Sequence, residues 1–353
     1  MEQNNNGLND LNHSPKDTEI NQTSIGLEVA KFDESEEQRQ PDETGLFEIQ
    51  TANEAIQQAM NQPNPVQLYQ PLILENEFII LFADTGVGKT VLSFQMAIEI
   101  ARQNITVIYL DLELSKKQFQ KRYTSDENGK AYLLPDNLYR LCFTRLKKVP
   151  RGISYEDYFF KSLISAIQIT GAKVVFLDNL TKLAAGDTDS AKNSIPILER
   201  MNDLKADFGL TIIVLEHNKK VDTSRPIQLN DLQGSKMKSN LCDAVFTIGR
   251  SAKDKNIRYI KQLKVRDGEV VYDTENVKVC ELSKANGFLS FTDIGFASEF
   301  EHLKEVTEKD RADRVAEAMD LKRQGLSNTA IAKSIGVSEG AVRKWLKKGN
   351  EAA

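Results

Sequence analysis

Short apolar runs alternate along the chain with longer segments in which apolar residues recur at helical spacing. The runs predict strands at Phe78–Ala83, Ile105–Leu110, Ala172–Leu177, Leu210–Leu215, Ala244–Ile248, Arg258–Leu263 and Val277–Leu282. The spaced segments predict helices at Leu46–Met60, Val91–Gln103, Tyr155–Thr170 and Ser194–Phe208. Strands separated by helices of this length favour an α/β fold at residues 46–300, with a mainly parallel sheet and helices on both of its faces.

A compact helical block follows the last predicted strand. Helices are expected at Arg311–Gln324, Asn328–Ser334 and Glu339–Lys348, with Ser338 as the N-cap of the third. The last two helices and the turn between them supply a candidate core of Ala330, Ile331, Ile335, Val337, Val342 and Leu346. This pattern predicts a small all-α domain at residues 308–350.

The N-terminal segment differs in composition from the rest. Residues 1–45 are rich in Asn, Gln, Asp, Glu and Ser and hold few large apolar side chains, so we expect a disordered tail. Residues 1–50 carry twelve acidic residues against three basic ones, whereas the whole chain has a net charge of −5. The remainder is therefore net basic, and the low overall isoelectric point does not argue against a nucleic-acid partner.

The apolar runs and the cysteines indicate in which cellular compartment the protein is expected. The longest apolar runs fall far short of the roughly 20 residues of a membrane-spanning helix, and no secretion signal follows Met1. Cys142, Cys242 and Cys280 are far apart and match neither a zinc spacing nor a disulfide framework. We therefore expect a cytoplasmic protein with reduced cysteines and no membrane partner.

The first predicted strand ends in a loop that is typical of a phosphate-binding site. Its residues are Ala83, Asp84, Thr85, Gly86, Val87, Gly88, Lys89 and Thr90. The glycines let backbone N–H groups approach phosphate oxygens, Lys89 reaches the β and γ phosphates, and Thr90 supplies a hydroxyl to Mg²⁺. The helix that follows favours negative charge at its N-terminus. The loop predicts binding of ATP with Mg²⁺, although Ala83 stands where such loops usually begin with glycine.

Acidic and polar residues follow three other predicted strands. Asp178 ends the run Val174–Leu177 and is the candidate for holding Mg²⁺ through water, with a cap of a loop or helix as the alternative. Hydrolysis needs a carboxylate that orients or deprotonates the attacking water, and Glu113 is the first candidate and Asp111 the second. Solvated acids at a strand end would also explain both. His217 follows the fourth strand, either as a sensor of the γ-phosphate or as a structural residue.

Together, these segments resemble the RecA-like ATPases, and within them the ATPase domain of the DnaB/RepA-type hexameric helicases. The resemblance spans residues 68–285 and includes, besides the phosphate loop, Leu112–Phe119 with Arg122, Asp178, Leu215–His217, Arg225-Pro226, Asp231–Ser235, Asp243 and Lys264–Gly268. It implies that Glu113 is the catalytic carboxylate, Asp178 the Walker B acid and His217 the polar sensor. Histidine in place of glutamine at the sensor, and a polar tail in place of a helical N-terminal domain, favour the smaller RepA-like helicases of plasmids and other mobile elements.

The resemblance also implies an oligomer. In that family, the residues that match Lys264 and Arg266 reach into the neighbouring subunit's nucleotide site and stabilise charge on the transferred phosphate. The pair therefore implies a homo-oligomer, with a hexameric ring as the expected form. Two surface cations after a strand are the alternative.

Two loops, Leu183–Asn193 and Lys219–Ser239, would face the centre of such a ring. The second loop is basic, and its Lys236 and Lys238 are candidates for contacts with the phosphates of single-stranded DNA. A solvated, mobile loop is the alternative interpretation.

The C-terminal sequence AIAKSIGVSEGAVRKWLKK resembles a helix-turn-helix of the resolvase or homeodomain-like kind. Such a motif places its third helix in the major groove of duplex DNA, and residues 327–353 hold five basic residues against two acidic ones. The implied DNA contacts are Glu339, Gly340, Arg343, Lys344, Lys347 and Lys348. A three-helix unit that binds protein is the alternative.

The sequence thus leads to the hypothesis of a DNA-dependent ATPase, a ring-forming helicase that acts in replication or mobilisation of a mobile genetic element. Two other functions remain open. In one, ATP controls a DNA-binding regulator that does not unwind DNA. In the other, the protein is a recombination mediator that loads or displaces a recombinase.

Overall fold

The computed structural model describes residues 49–143, 148–180, 183, 191–218, 222–305, 308–335, 337 and 339–351. Contacts divide the chain into two units, Met1–Asn64 and Pro65–Ala353. The predicted disordered tail at residues 1–45 lies outside the described residues, as do residues 184–190 and 219–221 of the two predicted DNA-facing loops. The predicted division between residues 46–300 and 308–350 stays a prediction.

The described part of the first unit contains the helix α1 (Ala52–Met60). It begins later than the predicted Leu46 because Thr51 caps it. The Thr51 hydroxyl accepts from the Glu54 backbone N–H at 3.2 Å, and the Glu54 carboxylate accepts from the Thr51 backbone N–H at 2.8 Å. This reciprocal pair fixes the first turn of the helix.

The second unit opens with a short antiparallel hairpin, β1 (Gln67–Tyr69) and β2 (Ile73–Leu74), and is built around a nine-stranded sheet. The strands of the sheet are β3 (Phe78–Ala83), β4 (Val107–Asp111), β5 (Leu138–Leu141), β6 (Val174–Asp178), β7 (Thr211–His217), β8 (Ala244–Arg250), β9 (Ile257–Lys264), β10 (Val277–Ala285) and β11 (Phe288–Ala297). Their order is β11-β10-β9-β8-β3-β7-β6-β4-β5. The six neighbours β8, β3, β7, β6, β4 and β5 run parallel to one another. Strands β9, β10 and β11 extend the sheet by antiparallel pairing. The predicted mainly parallel α/β fold is confirmed.

Helices cover both faces of the sheet. They are α2 (Lys89–Ala101), α3 (Lys116–Arg122), α4 (Tyr155–Thr170), α5 (Ala191–Phe208) and α6 (Ser235–Leu241). The central strand β3 has every side chain buried, and its residues alternate between two cores. Ile79 and Leu81 join the core beneath α2, whereas Phe78, Ile80 and Phe82 join the core beneath α4 and α5.

Register determines where the functional residues meet. The parallel pairing sets Asp111 of β4 against Asp178 of β6, and Ala83 of β3 against His217 of β7. All four residues end their strands at the same edge of the sheet. The carboxyl edge of a parallel sheet is where open α/β folds place their ligands.

Four strands were not predicted: β1, β2, β5 and β11. The first three are short, and β11 is interrupted by polar residues and by Gly295. The turn between β10 and β11 did carry a usable signal. Asn286 and Gly287 both have positive φ angles, 47° and 88°, and Asn-Gly between apolar segments is a strong indication of a hairpin.

The C-terminal block consists of α7 (Glu308–Arg323), α8 (Asn328–Ile335) and α9 (Glu339–Glu351), close to the predicted helices. Its buried residues are Ala318, Ile331, Ala332 and Val342. The prediction that Ala330 belongs to this core was wrong, because α8 turns Ile331 and Ala332 inward and leaves Ala330 exposed. Ser338, the predicted N-cap of α9, lies outside the described residues.

The structure describes the environment of all three cysteines and the length of the helices. Cys142, Cys242 and Cys280 are free, and the last two are buried. None of the helices that the structure describes is long and apolar enough to cross a membrane.

Candidate nucleotide-binding site

The predicted phosphate loop lies between β3 and α2 and is held in shape by the strands behind it. Gly88 has a φ angle of 114°, and a Cβ atom there would lie 2.8 Å from the ring of Phe291, so both backbone and space require glycine. Arg258 Nε donates to Val87 O at 3.0 Å, and Arg250 Nη2 donates to Gly86 O at 3.3 Å. Neither arginine was predicted to belong to the site. In the sequence, the position of Arg258 as a charged residue at the start of an apolar strand was the feature that could have indicated its role.

Lys89 points into the loop that it follows. Its ammonium donates to Ala83 O at 2.6 Å and Asp84 O at 3.1 Å, and Nζ lies 3.3 Å from Nδ1 of His217. Burial lowers the pKa of Lys89, and the acidic groups nearby, with Asp178 first among them, oppose that shift. The side chain is thus folded against the loop carbonyls, in reach of any phosphate that the loop binds.

Asp178 ends β6 and is almost completely buried. The Tyr109 hydroxyl donates to its Oδ2 at 2.9 Å, and Ser93 Oγ of α2 lies 2.7 Å from the Tyr109 oxygen. Burial raises the pKa of Asp178 to about 6, and hydrogen bonds from the Thr90 and Tyr109 hydroxyls oppose the shift. A cation at this carboxylate would offset the cost of its burial.

The residues present fit the predicted Mg²⁺ site. Thr90 and Asp178 place a hydroxyl and a carboxylate side by side, joined by a hydrogen bond. No group of three or more His, Cys, Asp or Glu residues within the described part of the chain forms a metal cage. Mg²⁺ is commonly bound by one or two protein oxygens together with substrate phosphates and water, so a small oxygen donor set of this kind suits it.

The geometry distinguishes the two candidates for the catalytic carboxylate. Asp111 is buried, and its Oδ1 accepts from the backbone N–H groups of Glu113 and Leu114 at 3.1 and 2.8 Å. Its Oδ2 pairs with Arg140 at 2.8 Å. Asp111 therefore shapes the turn that follows β4, whereas the Glu113 side chain is exposed at the site. The arrangement favours Glu113.

Asn179, which was not predicted to belong to the site, lies between Glu113 and His217. Asn179 Nδ2 donates to Glu113 Oε1 and lies 3.4 Å from His217 Nε2. Burial, and then the charge of Lys89, lower the pKa of His217, which favours the neutral imidazole. A continuous row of contacts thus crosses the site and joins Lys89, His217, Asn179 and Glu113. A position directly after Asp178 was the one signal that pointed to Asn179.

The structure contradicts the predicted role of Lys238 as a contact to DNA. Its ammonium pairs with Glu216 at 2.5 Å, and both side chains are 5% exposed. A buried cation that is already paired is not available to a phosphate backbone. Lys236 and Lys238 both lie on α6 and not in a loop as predicted, and the side chain of Lys236 lies outside the described residues.

Lys264 and Arg266 differ in environment. Lys264 Nζ donates to Ser239 O at 2.7 Å and Cys242 O at 2.6 Å, so it satisfies carbonyls at the C-terminal end of α6. Arg266 is 58% exposed and pairs with Asp243 at 2.5 Å. Arg266 is the more available of the two to a neighbouring subunit.

The predicted contacts of α9 with DNA lie on exposed positions. Glu339, Arg343, Lys344 and Lys347 are exposed, and Arg343 Nη2 donates to Glu339 Oε1 at 2.8 Å. The side chain of Lys348 lies outside the described residues. The basic side of α9 therefore faces away from the small core of the block.

Comparison with solved structures shows the fold. The chain is similar to a solved ATPase domain, with 17% identity and a TM-score of 0.52 over 69% of this chain and 99% of that one. It is also similar to a DnaB-like replicative helicase that was studied for its interactions with primase. That similarity has 16% identity and a TM-score of 0.52 over 75% of this chain and 71% of that one. The sheet and its helices are accordingly a RecA-like P-loop core.

Comparison of sequences gives the family. None of the curated proteins matches the chain. The model of a protein family described as "AAA domain" matches residues 44–223, just over half of the chain and all of the segment from the phosphate loop to His217. The protein belongs to this AAA domain family.

Proposed function

We propose that the protein is a DNA-dependent ATPase that forms a ring of identical subunits and unwinds DNA, in the replication or mobilisation of a mobile genetic element. One observation carries the ATPase part of the proposal. Three separate segments of the chain, which carry Lys89 with Thr90, Glu113, and Asp178, meet at one edge of the sheet.

The chemistry follows from the side chains. Lys89 exchanges its contacts with Ala83 O and Asp84 O for phosphate oxygens when ATP binds. Thr90, and Asp178 through water, would hold Mg²⁺, and the ion would neutralise charge on the phosphates. Glu113 accepts a proton from water as the water oxygen bonds to the γ-phosphorus and the bond to the bridging oxygen of ADP breaks.

The ring part of the proposal rests on Arg266. This residue is exposed and follows β9, and an arginine given to a neighbour's site stabilises charge on the transferred phosphate. The likeness to the solved ATPase domain and to the DnaB-like structure supports the fold of such a subunit, and the ring itself is our proposal.

The decisive experiment measures ATP turnover without DNA, with single-stranded DNA and with duplex DNA, beside a mass measurement with nucleotide and a strand-displacement assay. We expect DNA to raise the rate, Lys89→Ala to abolish it, and ATP to promote both assembly and strand displacement. Turnover that depends on Lys89 but displaces no strand would remove the helicase and leave an ATPase of another purpose.

The exposed basic side of α9 favours a second candidate, an ATP-controlled regulator that binds duplex DNA. In this case ATP changes duplex affinity without any translocation. Lys344→Ala should weaken duplex binding and reduce its salt slope by about one, because one phosphate contact is lost. Arg323→Ala, at an exposed cation near the end of α7, is the matched control and should leave duplex binding unchanged.

A further inference from the structure

Asn179 directly follows Asp178, the residue proposed to hold Mg²⁺ through water. It is 2% exposed, and its amide nitrogen donates to one oxygen of the Glu113 carboxylate. The same nitrogen lies 3.4 Å from His217 Nε2. Asn179 therefore contacts both the proposed catalytic carboxylate and the proposed sensor of the γ-phosphate.

Glu113 needs a partner of this kind. Its side chain is exposed, and among the described residues Asn179 is the side chain that donates to its carboxylate. An exposed glutamate retains much of its rotamer freedom. A hydrogen bond from a rigid, buried amide removes that freedom and leaves the second carboxylate oxygen in a fixed direction.

The amide oxygen of Asn179 shows that packing alone does not explain why an asparagine stands at this position. Asn179 Oδ1 is buried, and no donor within the described residues reaches it. A buried acceptor without a donor costs free energy, so a small apolar residue would suit the interior better. The donation from Nδ2 to Glu113 is the feature that an apolar residue would not reproduce.

We propose that Asn179 is a positioning residue for ATP hydrolysis. It holds one oxygen of Glu113 so that the other receives the proton of the attacking water, while the water oxygen bonds to the γ-phosphorus and ADP leaves. The contact with His217, which itself meets Lys89, connects this arrangement to the phosphate-binding end of the site. The inference rests on the proposed ATPase function.

The test compares binding of two phosphate analogues with turnover. In Asn179→Ala, kcat should fall by about 10–100-fold, at or below the lower end of the range that a positioned proton acceptor contributes, because Glu113 itself is kept, while the KM for ATP changes by less than about twofold. Binding of ADP with beryllium fluoride, which mimics bound ATP, should be unchanged. Binding of ADP with aluminium fluoride, which mimics the state with the water in line, should weaken by the same factor as kcat.

Further variants separate positioning from folding. Asn179→Asp keeps the shape and removes the donor, so it should lose as much turnover as Asn179→Ala. In a Glu113→Gln background, Asn179→Ala should have little further effect, because the two residues act as one unit. The matched control is Asn137→Ala. Asn137 donates to Ala101 O and Ile105 O, so its loss should lower the melting temperature and leave kcat unchanged.

The outcomes are distinguishable. Unchanged kcat in Asn179→Ala or Asn179→Asp would overturn the inference, as would equal weakening of both analogues, which marks a general loss of the nucleotide pocket. If Lys89→Ala keeps the ATP turnover of the wild-type protein, the proposed function of the site would instead be overturned.

Discussion

The Nζ atom of Lys89 lies 3.3 Å from Nδ1 of His217, although 128 residues separate them in the chain. The parallel pairing of β3 with β7, in which Ala83 stands opposite His217, brings them together. The charge of Lys89 is second only to burial in lowering the pKa of His217. The phosphate loop and the proposed sensor are therefore electrostatically linked before any nucleotide binds.

Replacing Lys89 by methionine should raise the pKa of His217. Removal of the ammonium eliminates one of the two causes that lower the pKa and leaves burial as the other. The imidazole titration, followed by NMR, measures the change. His302, which is buried beside Ser251, is the internal control and should titrate as before. An unchanged His217 titration would mean that Lys89 and His217 are not in contact in solution.

Arg266→Ala should leave ATP binding intact and slow hydrolysis by about 10³-fold or more, the range typical of an arginine supplied to phosphoryl transfer. The side chain is largely exposed, so the free energy of unfolding should change by less than about 0.5 kcal/mol. Single-turnover hydrolysis, nucleotide binding and chemical denaturation measure the three quantities. An unchanged rate of hydrolysis would count against a role of Arg266 in the reaction.

Mixing two inactive variants tests whether Arg266 acts between subunits. An Arg266→Ala subunit keeps its own phosphate loop, and a Lys89→Ala neighbour still provides its arginine. Part of the ATP turnover should therefore return when the two proteins are mixed and allowed to exchange subunits. If Arg266 acts within its own subunit, the mixture will stay inactive.

Lys238→Met should destabilise the protein rather than weaken a contact with DNA. The change leaves the Glu216 carboxylate buried without its cation, which costs about 3–5 kcal/mol of unfolding free energy. The double variant Lys238→Met with Glu216→Leu removes both charges and should recover most of this loss. Chemical denaturation measures both. A Lys238→Met protein of full stability with reduced single-stranded DNA affinity would restore the sequence-based interpretation.

Glu77 provides a prediction about pH. Burial is the largest cause that raises its pKa, to about 7. A carboxyl whose pKa is higher in the folded than in the unfolded protein contributes stability that is complete below its ordinary pKa of 4.5 and is lost as pH rises to about 7. The glutamine side chain of Glu77→Gln does not ionise. The free energy of unfolding of this variant, relative to that of the wild type, should therefore increase by about 1–3 kcal/mol from pH 5 to pH 8. Equal differences in unfolding free energy at the two pH values would contradict this.

The sequence by itself determined the central elements of the site. The loop at residues 83–90, the apolar run before Asp178 and the alternation of strands with helices predicted a parallel α/β core with a phosphate loop, and the structure has that core. These features are local, since glycines, a lysine and apolar runs act through their immediate neighbours in the chain. The same holds for the three C-terminal helices.

Only the tertiary structure decided which polar residues are free to act. Asp111 and Glu113 are alike in sequence, but Arg140 pairs with the first and leaves the second at the site. Lys238 resembles a loop cation until Glu216 is seen beside it, and the role proposed for Asn179 depends on Glu113, 66 residues away. Burial and pairing depend on which distant segments the sheet brings together, and the local pattern of residues does not contain that information.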